Sequence, residues 1–404
     1  MLYLSEPVHY NLEIYPFCNN QCLGCGNIDF AIGKKILAST WRLILEKIQP
    51  HAAHVRISGG EPSLHPEFEN IIRTLSDMNI PFILFTNGRW QNPDHIINLL
   101  CQTPQCRGLL VSLHSHIPEI HDAFTTVKGS FSETLTNIKK SIDSGLTIAT
   151  STIILPSNTD AIQEIISFHQ KHGIYQTTFS RYVSVKNHNF EINSEQLKSV
   201  INIIELNRNN GYRAEYSVCI PQCFKLSSSI GCLSGITYCV IDPWGNLRPC
   251  SHVPINCGNL LEKSIKDIWC GTEMKSWREM IPLQCWDCVE ISKCRGGCRA
   301  AAILNKKDSD PLMTQPLSKS DKTCSKTILN ENMIPVKNFN IRKEPFGLVL
   351  INENRVVPVD FEAEPILDII DGISTLREIK KCYGEDILNF IGHLYKEGII
   401  YCHR

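Results

Sequence analysis

Short apolar runs alternate with longer segments of helical period across residues 1–215 of this chain. Such alternation is typical of repeated β-α units, in which parallel strands are covered by helices. Six units predict an α/β fold, a partial (β/α)6 TIM-like barrel. The predicted strands are His9–Tyr15, His54–Ser58, Phe82–Thr86, Gly108–Leu113, Leu146–Leu155 and Thr177–Tyr182, and the predicted helices are Thr40–Ile48, Pro66–Met78, Asp94–Cys101, Ser130–Ser144, Thr159–His172 and Ser194–Arg208.

Residue types that carry chemistry follow the ends of these predicted strands. Three cysteines within residues 18–25 follow the first strand, and the segment from Ser58 to Pro62 follows the second. Asn87 follows the third strand, and Ser112 lies near the end of the fourth. Because active sites of parallel barrels lie at the carboxyl ends of the strands, we expect these residues to meet at one mouth of the barrel.

The cysteines of this first loop, Cys18, Cys22 and Cys25, are separated by three and by two residues. Thiolates this close in sequence can converge on one soft metal centre. Three ligands make a poor closed zinc site, which takes four, but they suit a four-iron cluster that keeps one iron free for a non-protein ligand. The alternative is a zinc knuckle whose fourth ligand lies elsewhere in the chain.

The cysteine triplet followed by Gly59-Gly60-Glu61-Pro62 resembles the radical S-adenosylmethionine (SAM) enzymes. The resemblance implies that the three cysteines bind a [4Fe-4S] cluster whose fourth iron is chelated by SAM. It also implies reductive cleavage of SAM to a 5′-deoxyadenosyl radical, which abstracts a hydrogen from the substrate. The implied SAM contacts are Gly59, Gly60, Glu61, Pro62, Asn87 and Ser112.

Two positions depart from this resemblance. Many relatives carry an aromatic residue, which meets the adenine, just before the third cysteine, where this chain has Gly24. Relatives often have Asp-Gly after Ser112-Leu113, where this chain has His114 and, two residues later, His116. A histidine at the barrel mouth suits a proton acceptor, but a structural histidine held by hydrogen bonds is the commoner case and the one we expect.

Composition and charge narrow the partners and the cellular compartment that we expect for this protein. The formal net charge of -1 gives no reason to expect a nucleic-acid or membrane partner. The first residues lack the basic and apolar regions of a signal peptide, and no apolar stretch approaches the ~20 residues that span a bilayer. Nineteen cysteines in such a chain indicate thiols kept for metal in a reducing cytoplasm.

Twelve of these cysteines lie between Cys219 and Cys324, within a predicted second domain, residues 216–330. Four of them, at x2, x5 and x3 spacing from Cys285 to Cys298, would suit one zinc ribbon. The larger ordered set, which begins at Cys232 and includes Gly245-x4-Cys250, resembles the SPASM extension of radical SAM enzymes that modify peptides.

This second resemblance implies two auxiliary [4Fe-4S] clusters, and hence three clusters in total. The implied ligands of the first are Cys232, Cys239, Cys250 and Cys298, and those of the second are Cys285, Cys288, Cys294 and Cys324. We expect the auxiliary clusters to transfer electrons, since the protein would supply every ligand. The cysteines outside both sets are expected to be plain thiols: Cys219, Cys223, Cys257 and Cys270.

Residues 331–404 show a strand–turn–strand pattern followed by three helical segments. This tail resembles the PqqD-like recognition element of peptide-maturation systems, a small winged-helix module. The resemblance implies binding of a leader peptide as an added strand at a sheet edge. A generic winged helix that binds DNA is the alternative, but the tail lacks a concentrated basic stripe.

Together the resemblances imply a maturase that forms an oxidative C–C, C–O or C–S crosslink in a ribosomally made precursor peptide. They also imply a precursor peptide with a leader sequence and an electron donor such as flavodoxin or ferredoxin as partners. Peptide epimerisation, backbone excision and sulfatase-type formylglycine formation remain enzymatic alternatives. A zinc-stabilised scaffold that binds nucleic acid is the alternative without catalysis.

Overall fold

A computed structural model describes residues 3–25, 36–183, 188–226, 231–318, 330–353 and 355–403. The chain divides into two compact units. The first comprises Glu6–Ser318, and the second comprises Lys319–Arg404 together with Leu2–Ser5. The predicted boundary near residue 331 therefore falls close to a division between units, whereas the predicted boundary at residue 216 lies inside the first unit.

Six parallel strands of the first unit are neighbours in both sequence and space, which confirms the predicted α/β partial barrel. The strands are β1 (His9–Tyr15), β2 (His54–Gly59), β3 (Phe82–Thr86), β4 (Cys106–Ser112), β5 (Ile148–Ile154) and β6 (Gln176–Arg181). The helices that follow them are α1 (Ala38–Ile48), α2 (Phe68–Asp77), α3 (Pro93–Cys101), α4 (Pro118–Thr125), α5 (Ser130–Asp143), α6 (Ile162–Lys171) and α7 (Ser194–Asn209).

The apolar period of each element explains this arrangement. In α2, Phe68, Ile71, Ile72 and Leu75 recur at helical spacing and are all buried in the main core. In β1 the alternate residues Tyr10, Leu12 and Ile14 join the same core. The intervening positions therefore point to the opposite face of the strand.

That opposite face of β1 is polar, although it is also buried. It carries Asn11, which accepts a hydrogen bond of 2.7 Å from the hydroxyl of Ser58, and the carboxylate of Glu13. The interior of this barrel thus contains hydrogen-bonded and charged side chains and is not wholly apolar.

The cysteine-rich region continues the barrel sheet. Strand β7 (Ala214–Tyr216) pairs with β6, and β8 (Tyr238–Ile241) pairs in parallel with β1. Two antiparallel strands, β9 (Asn246–Arg248) and β10 (Gly258–Asn259), complete a sheet of ten strands. Short helices follow, α8 (Ile265–Trp269), α9 (Thr272–Glu279), α10 (Ile291–Cys294) and α11 (Arg299–Leu304).

The second unit has a small core of its own. Strands β12 (Asn340–Glu344), β13 (Gly347–Ile351) and β14 (Val356–Val359) form an antiparallel sheet, and β11 (Ile334–Lys337) pairs with β15 (Ile400–His403). Helices α12 (Glu364–Asp368), α13 (Leu376–Tyr383) and α14 (Asp386–Lys396) supply apolar residues to this core. Across the described ranges, no helix has the length and apolar character needed to cross a membrane.

Candidate functional site

The cysteines of residues 18–25 lie together in the loop after β1. Cys18 is exposed, whereas Cys22 and Cys25 are half-buried. Burial, with smaller contributions from the neighbouring Cys25 and Cys18 thiolates, raises the pKa of Cys22 to about 12. Three thiols whose negative charges oppose one another are suited to a cation, because a bound metal stabilises the thiolate form.

The Gly59-Gly60 turn after β2 packs directly on the start of this loop. The backbone amide of Gly60 donates to the carbonyl of Tyr15 at 2.7 Å, and that of Glu61 donates to Phe17 at 2.8 Å. A Cβ atom on Gly60 would lie 2.2 Å from the Phe17 oxygen, and one on Gly59 would lie 2.4 Å from the Tyr15 oxygen. The glycines are thus required for contact between two backbone segments.

Glu61 was predicted to contact SAM, and within the protein its carboxylate accepts several hydrogen bonds. It is fully buried. One oxygen accepts from the amide and hydroxyl of Ser63 and from the hydroxyl of Thr86, and the other accepts from the amide of Asn87 at 2.8 Å. Since a carboxylate offers about four acceptor sites, we interpret Glu61 as the residue that fixes the turn, with buried Pro62 beginning its short helix.

Asn87, after β3, reaches the cysteine loop. Its side-chain amide donates to Asn19 Oδ1 at 2.6 Å and lies 3.6 Å from Cys18 Sγ. Arg89 donates to the carbonyl of Asn19 at 2.9 Å and to the side chain of Asn20 at 2.6 Å. The predictions missed Arg89, for which the only sequence signal is its position two residues after Asn87.

The other residues predicted at the barrel mouth are Ser112 and His114. Ser112 ends β4 and pairs with Ser151 of β5. His114 is buried, and its Nδ1 accepts a hydrogen bond of 3.3 Å from the amide of Ile153. Burial lowers the pKa of His114 well below its usual value, and the positive charge of His121 lowers it further. His114 is therefore the neutral, hydrogen-bonded structural histidine that we expected.

A second group of thiols lies in the cysteine-rich region and contains Cys219, Cys232, Cys250 and Cys298. Hydrogen bonding to Cys232 and Cys298 raises the pKa of Cys219, and the same contacts lower the pKa of those two thiols. Burial raises the pKa of Cys250, as do Cys298 and Cys232. Cys219, expected to be a plain thiol, is thus an integral member of this group.

Cys239, the predicted fourth ligand, does not belong to this group. It lies in β8 and is fully buried in the main hydrophobic core, where Cys257 also lies. Burial raises its pKa, and Cys257 is the only thiol that contributes to this shift. The side-chain alternation of β8 turns the Cys239 thiol toward the core, whereas the Cys219 thiol lies beside those of Cys232 and Cys298.

A third group of thiols lines a small cavity in the cysteine-rich region. Its thiols belong to Cys223, Cys285, Cys288 and Cys294. The amide of Thr314 donates to Cys223 Sγ at 3.4 Å, and its hydroxyl donates to the Cys223 carbonyl at 2.8 Å. Cys223 was not predicted here, whereas Cys324, which was predicted here, lies outside the described residues.

Buried ion pairs connect the barrel strands to the second thiol group. Arg181 at the end of β6 binds Asp310 through an Nη1–Oδ1 contact of 2.9 Å, and Asp310 also accepts from the amide of Cys298 at 2.8 Å. Arg248 pairs with Glu13 of β1. Burial raises the pKa of Glu13 to about 7, although Arg248 opposes that shift.

The donor chemistry of all three groups fits iron–sulfur clusters. Thiolates are the usual ligands of such clusters, and each binds a different iron atom. Among the described residues, no three His, Cys, Asp or Glu side chains converge tightly enough to enclose a single metal ion. The three groups are therefore looser than a one-ion site.

Comparison with known proteins also indicates iron–sulfur clusters. Residues 12–169 match the model of the radical SAM superfamily, and residues 232–289 match that of SPASM, an iron-sulfur cluster-binding domain. The AdoMet-dependent heme synthase of Methanosarcina barkeri is 24% identical over 272 residues, which cover 61% of this chain and 77% of that protein.

Two further similarities involve peptide maturation systems. The antilisterial bacteriocin subtilosin biosynthesis protein AlbA of Bacillus subtilis is 22% identical over 320 residues, 74% of this chain and 69% of AlbA. The crystal structure of Streptococcus suis SuiB bound to precursor peptide SuiA matches with a TM-score of 0.64 and 16% identity, over 77% of this chain and 76% of SuiB. This last similarity shows a shared fold.

Proposed function

Because this chain is a radical SAM enzyme with a SPASM domain, related to peptide maturases and to heme synthases, we propose that it modifies a ribosomally made precursor peptide. The modification is an oxidative crosslink through a carbon–carbon, carbon–oxygen or carbon–sulfur bond. Its cofactors are SAM, a radical SAM [4Fe-4S] cluster and auxiliary clusters of the SPASM region. Bound SAM supplies hydrogen abstraction, and the auxiliary clusters supply electron transfer.

The observation that carries the peptide assignment is the second compact unit. Among the described residues, β12 and β14 are the edges of its three-stranded sheet. On β12, Asn340, Ile341 and Lys343 are exposed, and each retains a backbone N–H group. β14 contains Pro358, which has no such donor. An extended leader peptide adds to an edge of this kind through main-chain hydrogen bonds, so we assign the leader to β12.

The cluster ligands follow from the three thiol groups. Cys18, Cys22 and Cys25 hold the cluster that binds SAM, with Asn87 and Arg89 fixing their loop. The first auxiliary cluster takes Cys219, Cys232, Cys250 and Cys298. The second takes Cys223, Cys285, Cys288 and Cys294. The segment between Cys219 and Cys223 then contributes one ligand to each auxiliary cluster and ties the two together.

Heme synthesis is the second candidate function, because the heme synthase of Methanosarcina barkeri is among the relatives. The two candidates differ in the need for a leader-binding surface. A peptide maturase depends on the exposed edge of β12, whereas synthesis of a small tetrapyrrole gives that edge no role.

Co-expression of the full chain with a candidate precursor peptide, taken from a short open reading frame near its gene, tests the proposal. A crosslink removes two hydrogens, so we expect a product mass about 2 Da lower, whereas epimerisation leaves the mass unchanged and excision removes a residue fragment. Ile341→Pro on β12 should abolish the product, because proline cannot donate a hydrogen bond and disturbs strand pairing. The control Phe361→Pro changes an exposed residue at the first position of a short helix outside the strands, where proline is tolerated. An unchanged peptide together with heme formation would contradict the proposal.

A further inference from the structure

Gly24 directly precedes Cys25, at the position where the sequence resemblance expects an aromatic side chain. A Cβ atom added to Gly24 would lie 2.7 Å from Cε2 of Tyr182 and 3.0 Å from Cε2 of Phe124. Contacts below 3.0 Å are closer than non-bonded carbon atoms tolerate. The ring of Tyr182 therefore fills the space into which a side chain at position 24 would project.

The backbone holds this contact in place. Tyr182 directly follows β6, so it emerges at the same mouth of the barrel as the cysteine loop. The amide of Leu23 donates to the carbonyl of Phe124 at 3.0 Å, and the amide of Gln21 donates to that of Thr125 at 3.2 Å. The cysteine loop is thus hydrogen-bonded to the end of α4, directly beside Gly24.

Three aromatic rings gather at this point. The ring centroid of Phe190 lies 5.7 Å from that of Tyr182 and 5.8 Å from that of Phe124, both at edge-on angles. The hydroxyl oxygen of Tyr182 is buried and has no hydrogen-bond partner among the described residues. An unsatisfied buried hydroxyl is unfavourable in itself. The tyrosine as a whole is only half-buried.

The three aromatic rings suit a ligand with a flat apolar face, and the buried hydroxyl of Tyr182 suits a ligand with a hydrogen-bonding edge. A purine has both, since its faces stack on aromatic rings and its edges carry donors and acceptors. We propose that Tyr182, together with Phe124 and Phe190, forms the seat of the SAM adenine and replaces the aromatic residue absent at Gly24. This inference rests on the SAM chemistry of the proposed function and is independent of the peptide substrate.

Binding of two probes to the anaerobically reconstituted full chain tests the proposal. SAM carries the adenine, whereas L-methionine carries only the amino-acid part. We expect Tyr182→Leu to weaken SAM binding about tenfold or more, as loss of one base–aromatic stack does. Binding of methionine, followed by the electron paramagnetic resonance signal of the reduced cluster, should stay unchanged. Equilibrium dialysis measures the SAM affinity without turnover.

One further variant tests the hydroxyl of Tyr182 separately from its ring, and a second variant serves as a control. Tyr182→Phe keeps the ring and should weaken SAM binding a few-fold, as loss of one hydrogen bond does. Tyr175→Leu is the control, since Tyr175 is exposed and precedes β6 at the opposite end of the strand. This control should bind SAM like the unmodified protein.

A positional swap provides the most demanding test. Tyr182→Gly removes the ring, and Gly24→Tyr in the same chain returns one from the neighbouring position. The double variant should bind SAM more tightly than Tyr182→Gly alone. The proposal is overturned if Tyr182→Leu binds SAM normally, or if it loses SAM and methionine equally, which would indicate a disturbed cluster loop. Failure of the proposed function would look different, because SAM binding would respond as expected while the precursor peptide stayed unmodified.

Discussion

The burial of single ionisable side chains affects how the stability of this protein changes at acidic pH. His169 is fully buried, and its Nδ1 lies 2.8 Å from the hydroxyl of Thr177. Burial lowers the pKa of His169 from 6.5 to about 3, with smaller effects of His172 and His116. The folded state therefore keeps this imidazole neutral at pH values where the unfolded chain protonates it.

The consequence is a loss of stability as the pH falls from about 6.5 toward 3. At pH 5 the unfolded state binds a proton on His169 that the folded state does not bind. The free energy of unfolding should therefore be about 2 kcal/mol lower at pH 5 than at pH 8. His169→Phe should reduce the difference between thermal unfolding temperatures measured at those two pH values. The adjacent Gln170 is exposed and does not titrate, so Gln170→Phe should leave that difference as it is.

The proposed ligand set of the first auxiliary cluster can be tested at a single thiol. Cys219→Ser should lower the iron content of the reconstituted protein by up to about four irons, because this cluster would lose one of its four proposed thiolate ligands. Cys239→Ala is the matched control, since that thiol lies in the apolar core, and it should retain all of the iron. Iron and sulfide analysis measures both. Iron loss in the Cys239 variant with none in the Cys219 variant would reverse the assignment.

At the scale of elements, the contact between the Gly59-Gly60 turn and the cysteine loop is the critical one. Gly60→Ala would place a Cβ atom 2.2 Å from the Phe17 oxygen, so the loop must move. We expect this variant to lose the SAM-binding cluster and to keep the auxiliary clusters, as measured by electron paramagnetic resonance.

Gly145→Ala is the control for that variant. Gly145 has open space around it and a φ of +91°, so alanine there meets only backbone strain of about 1 kcal/mol. All clusters should remain. Loss of the SAM-binding cluster in this control as well would show that general instability, rather than the displaced loop, is the cause.

The barrel elements were predictable from sequence because long apolar periods mark them. Helix α2 and strand β3 show this most clearly, since their buried positions recur at helical and alternating spacing. The extension of the sheet by β8, β9 and β10 was not predictable, because strands of two to four residues carry too little periodicity to be recognised.

The site was predictable in part for a related reason. Sequence spacing identified the cysteine loop, since its ligands are close along the chain. It assigned Cys239 to the first auxiliary cluster and treated Cys219 and Cys223 as plain thiols, because the grouping of these thiols depends on how β8 and the segment after β7 pack. Glu61 was recognised as important, but its role in fixing the turn depends on contacts with Thr86 and Asn87 that only the fold supplies.

At the scale of the whole first unit, Asp310 joins the barrel to the cysteine-rich region. Asp310→Asn would leave the guanidinium of Arg181 buried without its partner, a change that costs about 3–5 kcal/mol. The variant should unfold at a markedly lower temperature and should hold the first auxiliary cluster less firmly, since Asp310 also anchors the amide of Cys298. The exposed neighbour Asp308 offers the control, and Asp308→Asn should unfold like the unmodified protein.

The central claim is that hydrogen is taken from a ribosomally made peptide. The most direct measurement supplies the reduced, reconstituted full chain with SAM and a candidate precursor peptide that is deuterated at its side chains and α-carbons. The account predicts deuterium in the 5′-deoxyadenosine that is released. Formation of 5′-deoxyadenosine without deuterium would contradict it, because the hydrogen would then come from another molecule.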